Sequence, residues 1–362
     1  MTATATPPNA QFDEEETDDE LFSRLFPLEL AWRDRQVFLQ SRGYMLRPRL
    51  RPGWVPSWRT TGKSIFNSED SFALPERQHL VDATRIDDGK LVYIKRVKTR
   101  DQESTILMLL NAPELRDDPR NHAVPILDHF QDDVDPSISY IVMPFLRPLD
   151  RPPPERVSDC IDFVTQYLEG LVFQHEKGVA HRDCSAKNLL VDASSLYPNG
   201  HHPTKLDFSP DYSKVVRPLP RSKHKVHYYY VDFGISSHIP PGSASALVTG
   251  IFGRNQKVPE LSDTVPYDPY KVDVFSMGQV FEQAFVKTYS NVKFLKPLIQ
   301  YMTARDPTAR PTAAEALAQW TALPKPGRYG CALRLRGRDE LAPVSAIIGL
   351  FDRIGAFPAL FT

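Results

Sequence analysis

The chain has 362 residues, 41% hydrophobic and 25% charged, a composition that suits a soluble globular protein with a sizeable core. Its 44 Lys and Arg against 45 Asp and Glu leave a formal net charge of -1, so no overall pull toward nucleic acid or a membrane surface is expected. Three scattered cysteines, Cys160, Cys184 and Cys331, exclude a disulfide framework or a zinc site, and no run approaches the roughly 20 apolar residues of a membrane span.

Along the chain, residues 13–20 form an acidic run that repels itself and has little to bury, so residues 1–20 are expected to be a disordered tail. Apolar residues at helical spacing predict a helix over 29–39. The tract 47–58 is rich in Arg, Pro and Trp; its prolines argue against helix and predict an extended segment packed through its tryptophans. Residues 80–85 and 91–97 flank a turn at Asp87-Asp88-Gly89 and read as a hairpin. A helix is expected over 103–110, a strand over 139–143, and a long amphipathic helix from Cys160 to Lys177, stopped by Gly178. Strands first and helices later indicate an α+β protein, with a small β-rich lobe preceding a larger, mainly helical one.

The residues that carry chemistry fall in an interpretable order: Lys95, Glu103, Asp183, Asn188, Asp232. Phosphoryl transfer requires a cation for the phosphates, oxygen ligands for a divalent metal and a carboxylate beside the attacking hydroxyl, and these residue types supply them. Asp183 and Asn188 lie in His181-Arg182-Asp183-Cys184-Ser185-Ala186-Lys187-Asn188, and Asp232 opens Asp232-Phe233-Gly234.

These motifs resemble those of eukaryotic protein kinases over residues 80–323. The resemblance implies a bilobal kinase-like fold using ATP and Mg2+ to phosphorylate a protein substrate. By that match Asp183 is the catalytic base, Asn188 and Asp232 hold metal, Lys95 contacts the phosphates, and Glu103 pairs with Lys95. Met143, Pro144 and Leu146 match the hinge that grips adenine, with the Leu146 N–H as a donor, and Val81 matches the valine that closes the phosphate-covering loop. Asp273 matches the aspartate that braces the catalytic loop, and Glu260 and Arg310 match a structural ion pair. The implied division is 21–70 as an extension packed on the core, 71–145 as the first lobe, 146–325 as the second, and 326–362 as a tail. A cytoplasmic or nuclear protein without a secretory leader is expected. The tract 44–58, the phrase 82–90, the catalytic loop and Pro203-Thr204-Lys205 further resemble a kinase-like family expanded in mushroom-forming fungi.

Three departures qualify the match. Leu74, Glu76 and His79 stand where the phosphate-covering loop needs glycines, unless Gly62 enters through an irregular insertion. Ser185 replaces the usual lysine, and Lys187 is the nearby cation able to reach the same phosphate. A long insert occupies about 192–228; its paired histidines, His201 and His202, lack further metal ligands at a recognisable spacing, and its basic cluster 221–227 is expected to be a solvated loop. The rival reading is a pseudokinase acting as a binding or scaffold module. Small-molecule phosphotransfer is disfavoured by Val258-Pro259-Glu260.

Overall fold

The computed structural model describes residues 16–74, 79–240, 242–243 and 245–340. It is a mixed α+β structure that divides into two compact units. One takes in the described residues up to Lys90 together with His201–Val215; the other takes in Leu91–Gly200 and the described residues from Val216 onward.

In the first unit, short helices α1 (Asp18–Ser23), α2 (Pro27–Arg33) and α3 (Gln36–Ser41) precede strand β1 (Tyr44–Leu46), helix α4 (Trp58–Thr61) and strand β2 (Leu80–Arg85). Strands β1 and β2 pair antiparallel, Tyr44 opposite Arg85 and Leu46 opposite Ala83. Residues 16–20 depart from the expected disordered tail. The Thr17 hydroxyl accepts from the Glu20 N–H while the Glu20 carboxylate accepts from the Thr17 N–H, a reciprocal cap for α1. Asp19 then accepts from Trp58 Nε1 at 2.6 Å and pairs with Arg59. Residues 1–15 lie outside the described residues.

The single helix expected over 29–39 is two, broken at Asp34 and Arg35, because each half buries a different polar anchor. Glu29 serves α2, and Gln36 serves α3 by accepting from the Leu46 N–H at 2.9 Å. The tract 47–58 is not extended throughout: Pro48–Leu50 makes a 3-10 turn, which proline tolerates in its first position.

Arg49 organises this unit. It is almost fully buried, and its guanidinium donates to Glu29, to the carbonyls of Phe22, Arg24 and Asp70, and lies over the Trp54 ring. Asp70 in turn accepts from Trp54 Nε1, the Ser57 N–H and the Ser57 hydroxyl. The insert segment joins the same unit through His202, which has no exposure. Its Nδ1 accepts from the Thr204 and Lys205 N–H groups, so Nε2 is the donor facing Glu69 Oε1 at 3.3 Å. His202 is thus committed to packing within this unit, and no cluster of three or more His, Cys, Asp or Glu suited to a metal occurs among the described residues.

In the second unit, β3 (Leu91–Lys98) leads into α5 (Gln102–Leu110), which Asp101 caps by accepting from the Ser104 N–H. Strands β4 (Asp128–Gln131) and β5 (Ile138–Pro144) follow, and the three strands run antiparallel in the order β3-β5-β4. After β6 (Arg147–Pro148) comes α6 (Val157–Glu176), the longest helix described. Of the apolar positions that marked it in sequence, Phe163, Val164, Tyr167, Leu168, Leu171 and Val172 are buried and Ile161 is half-buried. Gly178 ends it at φ +72, and a side chain there would strike the Ile239 carbonyl.

Short strand β7 (Val179–Ala180) enters the loop 181–188 and β8 (Leu189–Asp192) leaves it; β9 (His227–Tyr230) pairs with β8 and positions Asp232. Strand β10 (Ser237–His238) pairs back onto β7. A hairpin of β11 (Val248–Gly250) and β12 (Ser262–Tyr267) is followed by α7 (Pro269–Phe281), α8 (Lys296–Met302), α9 (Ala313–Ala322) and α10 (Arg328–Cys331). Beyond α10, Leu333 and Leu335 hydrogen bond to the backbone at Val157 and Glu155; residues 341–362 lie outside the described residues. In the basic cluster 221–227, Lys223, Lys225 and His227 are exposed as expected of a solvated loop; Arg221 is the exception, buried and donating to the Tyr228 hydroxyl and the Pro152 carbonyl. No helix among the described residues is long and apolar enough to cross a membrane.

The two arginines of the first unit separate in their expected effects. Arg49→Met leaves the buried Glu29 carboxylate uncompensated and is expected to cost about 3–5 kcal/mol. Arg59→Gln removes an exposed pair and is expected to leave the urea midpoint almost unmoved. Equal midpoints for the two variants would contradict the organising role of Arg49.

Candidate active site

The site is built in the second unit from four elements. On β3, Lys95 sits opposite Ile141 of β5, and its ammonium points to the Glu103 carboxylate of α5 at 2.5 Å and to Asp232 Oδ1 at 3.1 Å. Burial opposes the charge on Lys95, but the two carboxylates outweigh it and hold the ammonium pKa above its usual value. For Glu103 the balance reverses: burial raises its carboxyl pKa by more than Lys95 lowers it. Asp232 is half exposed at 47%, and although burial pushes its carboxyl up, Lys95, with Arg254 further off, carries it below the usual range.

The loop 181–188 hangs from Asp273, a carboxylate with no exposure on α7. Its oxygens accept from the His181 N–H at 2.7 Å, the Arg182 N–H at 2.6 Å and His175 Nε2 at 3.1 Å. This bracket holds Arg182 at φ +65, a left-handed conformation that a non-glycine residue adopts at a cost of about 1 kcal/mol or more; Asp232 is held at the same φ. His181 is buried, donating from Nε2 to the Val231 carbonyl while Nδ1 accepts from the Asp183 N–H. Both ring nitrogens are thus committed in the neutral form, and burial lowers the His181 pKa despite the nearby Asp273 and Asp183. The Phe233 ring packs 4.8 Å from the His181 ring and is itself fully buried.

Asp183 has both carboxylate oxygens engaged. Oδ2 accepts from Asn188 Nδ2 at 2.8 Å, and Oδ1 accepts from the Arg254 N–H at 2.7 Å. Asn188 also donates to the Asp183 carbonyl, so its amide nitrogen is spent and its carbonyl oxygen is the atom left to ligate. The Asn188 carbonyl of the main chain accepts from the Val231 N–H, which ties the loop to the residue before Asp232. Asn188 Oδ1 and the Asp232 carboxylate are hard oxygen donors of the kind Mg2+ takes, and two protein ligands suit an ion that completes its shell with phosphate and water.

The remaining predicted residues are placed as follows. Met143 and Pro144 lie on β5 opposite Tyr93 and Val92. Leu146 is buried in the connection to β6, and its N–H donates to no other group among the described residues. Lys187 is exposed, and its side chain forms no ion pair or hydrogen bond among the described residues. Val81 is buried in β2, in the first unit, and is not brought to the Lys95 cluster by any contact within one unit. Of the positions lacking glycine, Glu76 lies outside the described residues, His79 is exposed, and the Leu74 N–H is already committed to Glu29 Oε1 at 3.1 Å. Gly62 ends α4 in a left-handed conformation. Glu260 and Arg310 form a buried pair at 2.5 Å.

Sequence reasoning missed Arg254 and Tyr267. The Tyr267 hydroxyl accepts from Arg182 Nη2 at 3.0 Å and contacts the Gly250 carbonyl, anchoring the segment that carries Arg254. The one signal available was Gly253, a glycine next to a cation just before Val258-Pro259-Glu260.

Buried histidines give this unit a pH dependence. His122 donates from Nδ1 to the Tyr228 carbonyl at 2.7 Å, and burial lowers its pKa as it does that of His181. Both folded-state values lie below the unfolded value of about 6.5, so their contribution is fully present above that pH and is lost as pH falls through the folded values. The limiting slope is about 1.4 kcal/mol per pH unit for each group. His122→Asn keeps the donor to Tyr228 without the titration, and stability measured from pH 7.5 to 5 is expected to fall less steeply in the variant. Identical slopes would remove His122 from the account.

No family model matches the chain. Two curated proteins match parts of it: a "Light-sensor Protein kinase" of Ceratodon purpureus, 27% identical over 143 residues covering 35% of this chain, and the "Serine/threonine-protein kinase ppk8" of Schizosaccharomyces pombe, 26% identical over 119 residues covering 32%. The chain spans 9% of the first relative's length and 17% of the second's. Weak and partial as they are, both similarities are to protein kinases, and they point to a kinase-like family.

Proposed function

We propose that this chain is a protein kinase that transfers the γ-phosphate of Mg-ATP to a protein hydroxyl, serine or threonine in preference to tyrosine. The observation that carries the reading is the joining of two charge clusters by the Asn188–Val231 hydrogen bond: Asp183 with Asn188, and Asp232 with Lys95 and Glu103. A protein that only binds partners has no use for this whole set.

In this reading Asp183 accepts the hydroxyl proton. Its two hydrogen-bond donors fix the carboxylate plane before the acceptor arrives, a preorganisation that spares the reaction that cost. Asn188 and Asp232 would hold Mg2+, which when bound neutralises phosphate charge. Glu103 steers the Lys95 ammonium, and Lys95 stays charged and ready for phosphate oxygens. Leu146 offers its N–H to the adenine edge, and Lys187 stands beside the loop as a further cation. The preference for serine or threonine follows the second relative, a serine/threonine-protein kinase. The finer kinship with a kinase-like family expanded in mushroom-forming fungi rests on the shared phrases 44–58 and 82–90. The site needs no membrane or nucleic acid, and an intracellular setting suits its use of ATP.

A second reading, a pseudokinase serving as a scaffold, draws on one observation. The Leu74 N–H, where a phosphate-covering loop needs free donors, is bonded to Glu29.

Radiolabelled transfer from Mg-ATP to a generic protein decides between them. Wild type is expected to transfer, and Asp183→Asn is expected to lose about 10²–10⁴-fold in kcat while still binding nucleotide. Stabilisation by Mg-ATP, about 2.7 kcal/mol at a hundred times Kd, with no transfer by wild type would favour the scaffold.

A further inference from the structure

Phosphoryl transfer spreads charge over three equatorial oxygens, and the enzyme must meet it with cations. In the loop 181–188 the cations are Arg182, committed to Ser237, Thr249 and Tyr267, and the exposed Lys187. Ser185 stands two residues after Asp183, with a buried hydroxyl that has no hydrogen-bond partner. Lys95 is already shared between Glu103 and Asp232. A cation does face the base from another element. Arg254 Nε lies 3.8 Å from Asp183 Oδ2, and its side chain is 53% exposed. It pairs with no other carboxylate among the described residues.

The backbone explains why this arginine is there. Its N–H is bound to Asp183 Oδ1, so the main chain is pinned while the side chain is not. Gly253, at φ +113, permits the approach: a Cβ there would stand 2.9 Å from the Arg182 carbonyl oxygen, too close for any other residue. Upstream, Arg182 Nη2 donates to the Thr249 carbonyl at 2.9 Å, and Gln256 Nε2 donates to the carbonyls of Ile251 and Gly253. The segment is held to the loop by its main chain, and the guanidinium, half exposed and in an ion pair as long as 3.8 Å, is the part able to turn.

Distance favours a role for that freedom. An acceptor hydroxyl sits about 3 Å from its base, and the phosphorus it attacks about 3 Å further on. The transferred group is therefore centred roughly 6 Å from the carboxylate, within the swing of a guanidinium that starts beside it. The planar fork of arginine matches phosphate oxygens in a way a lysine ammonium does not.

We propose that Arg254 is the cation that grips the transferred phosphoryl group, leaving the Asp183 carboxylate when nucleotide binds. The proposal rests on the kinase reading of the same site. In the transfer, the acceptor oxygen bonds to the γ-phosphorus and the bond to the β–γ bridging oxygen breaks. ADP leaves with that electron pair, and the hydroxyl proton passes to Asp183. Arg254 exchanges no atom and no electron; it neutralises the oxygens in flight.

The test uses the full chain and measures Kd for Mg-ADP and for a non-hydrolysable Mg-ATP analogue, together with kcat. Arg254→Ala is expected to leave Mg-ADP binding as in wild type, to weaken the analogue at least tenfold, and to lower kcat by about 10²-fold or more. Arg254→Lys is expected to restore only part of each, and Lys257→Ala, an exposed neighbour, to change neither. The loss in Arg254→Ala is expected to exceed that in Lys187→Ala at least tenfold. The proposal is overturned if Arg254→Ala keeps wild-type preference for the analogue, or if Lys187→Ala carries the larger loss. If wild type transfers no phosphate yet prefers the analogue through Arg254, the kinase reading fails and the γ-phosphate contact stands. If wild type binds neither nucleotide, both fall.

Discussion

A single buried carboxylate, that of Asp273, holds the loop on which the candidate chemistry depends. It accepts from two consecutive backbone N–H groups and from His175, and it has no contact with water. Burying an ionised group without such partners costs several kcal/mol, so the three donors are a condition of the fold. What they hold in place is costly in its own right: Arg182 in a left-handed conformation, with His181, its pKa lowered by burial, behind it. From that strained corner the Asp183 carboxylate projects with both oxygens already hydrogen-bonded. The orientation of Asp183 is thus set by a carboxylate on α7, 90 residues further along the chain.

Charge is the second organising constraint. Around the loop stand Glu103, Asp183 and Asp232, faced by Lys95 and Arg254. The balance is close and each group is tuned by its depth: Glu103, the more buried, is pushed toward its neutral form, and Asp232, the more exposed, is held charged by Lys95. A charged, half-exposed Asp232 beside an Asn188 whose amide oxygen is unspent has the character of a site that takes a hard cation.

Much of this was legible in the sequence, and the reason is local. His181 to Asn188 is one contiguous loop and Asp232 follows a strand, while Lys95, mid-strand in β3 and 137 residues from Asp232, was legible only through the motif around it. The amphipathic pattern from Cys160 to Lys177 likewise declared its own buried face. What escaped notice depends on long-range pairing. Nothing in the run 47–58 says that Arg49 will bury itself against Glu29, or that Asp19 of an acidic run will be captured by Trp58 and Arg59. Arg221 read as a solvated charge because its partners, Tyr228 and the Pro152 carbonyl, are supplied by the fold. Arg254 was invisible for the same reason, since its backbone amide, common to nearly every residue, makes the decisive contact. The break between α2 and α3 escaped because helical spacing continues through Asp34 and Arg35 while the two halves anchor different partners.

The central claim is that this arrangement moves a phosphoryl group onto a protein. Phosphorus NMR of Mg-ATP incubated with the chain and an acceptor protein follows the γ-phosphate directly. The account predicts that its signal is replaced by those of ADP and a phosphomonoester on protein. An unchanged ATP spectrum at saturating nucleotide, or release of inorganic phosphate alone, would contradict it.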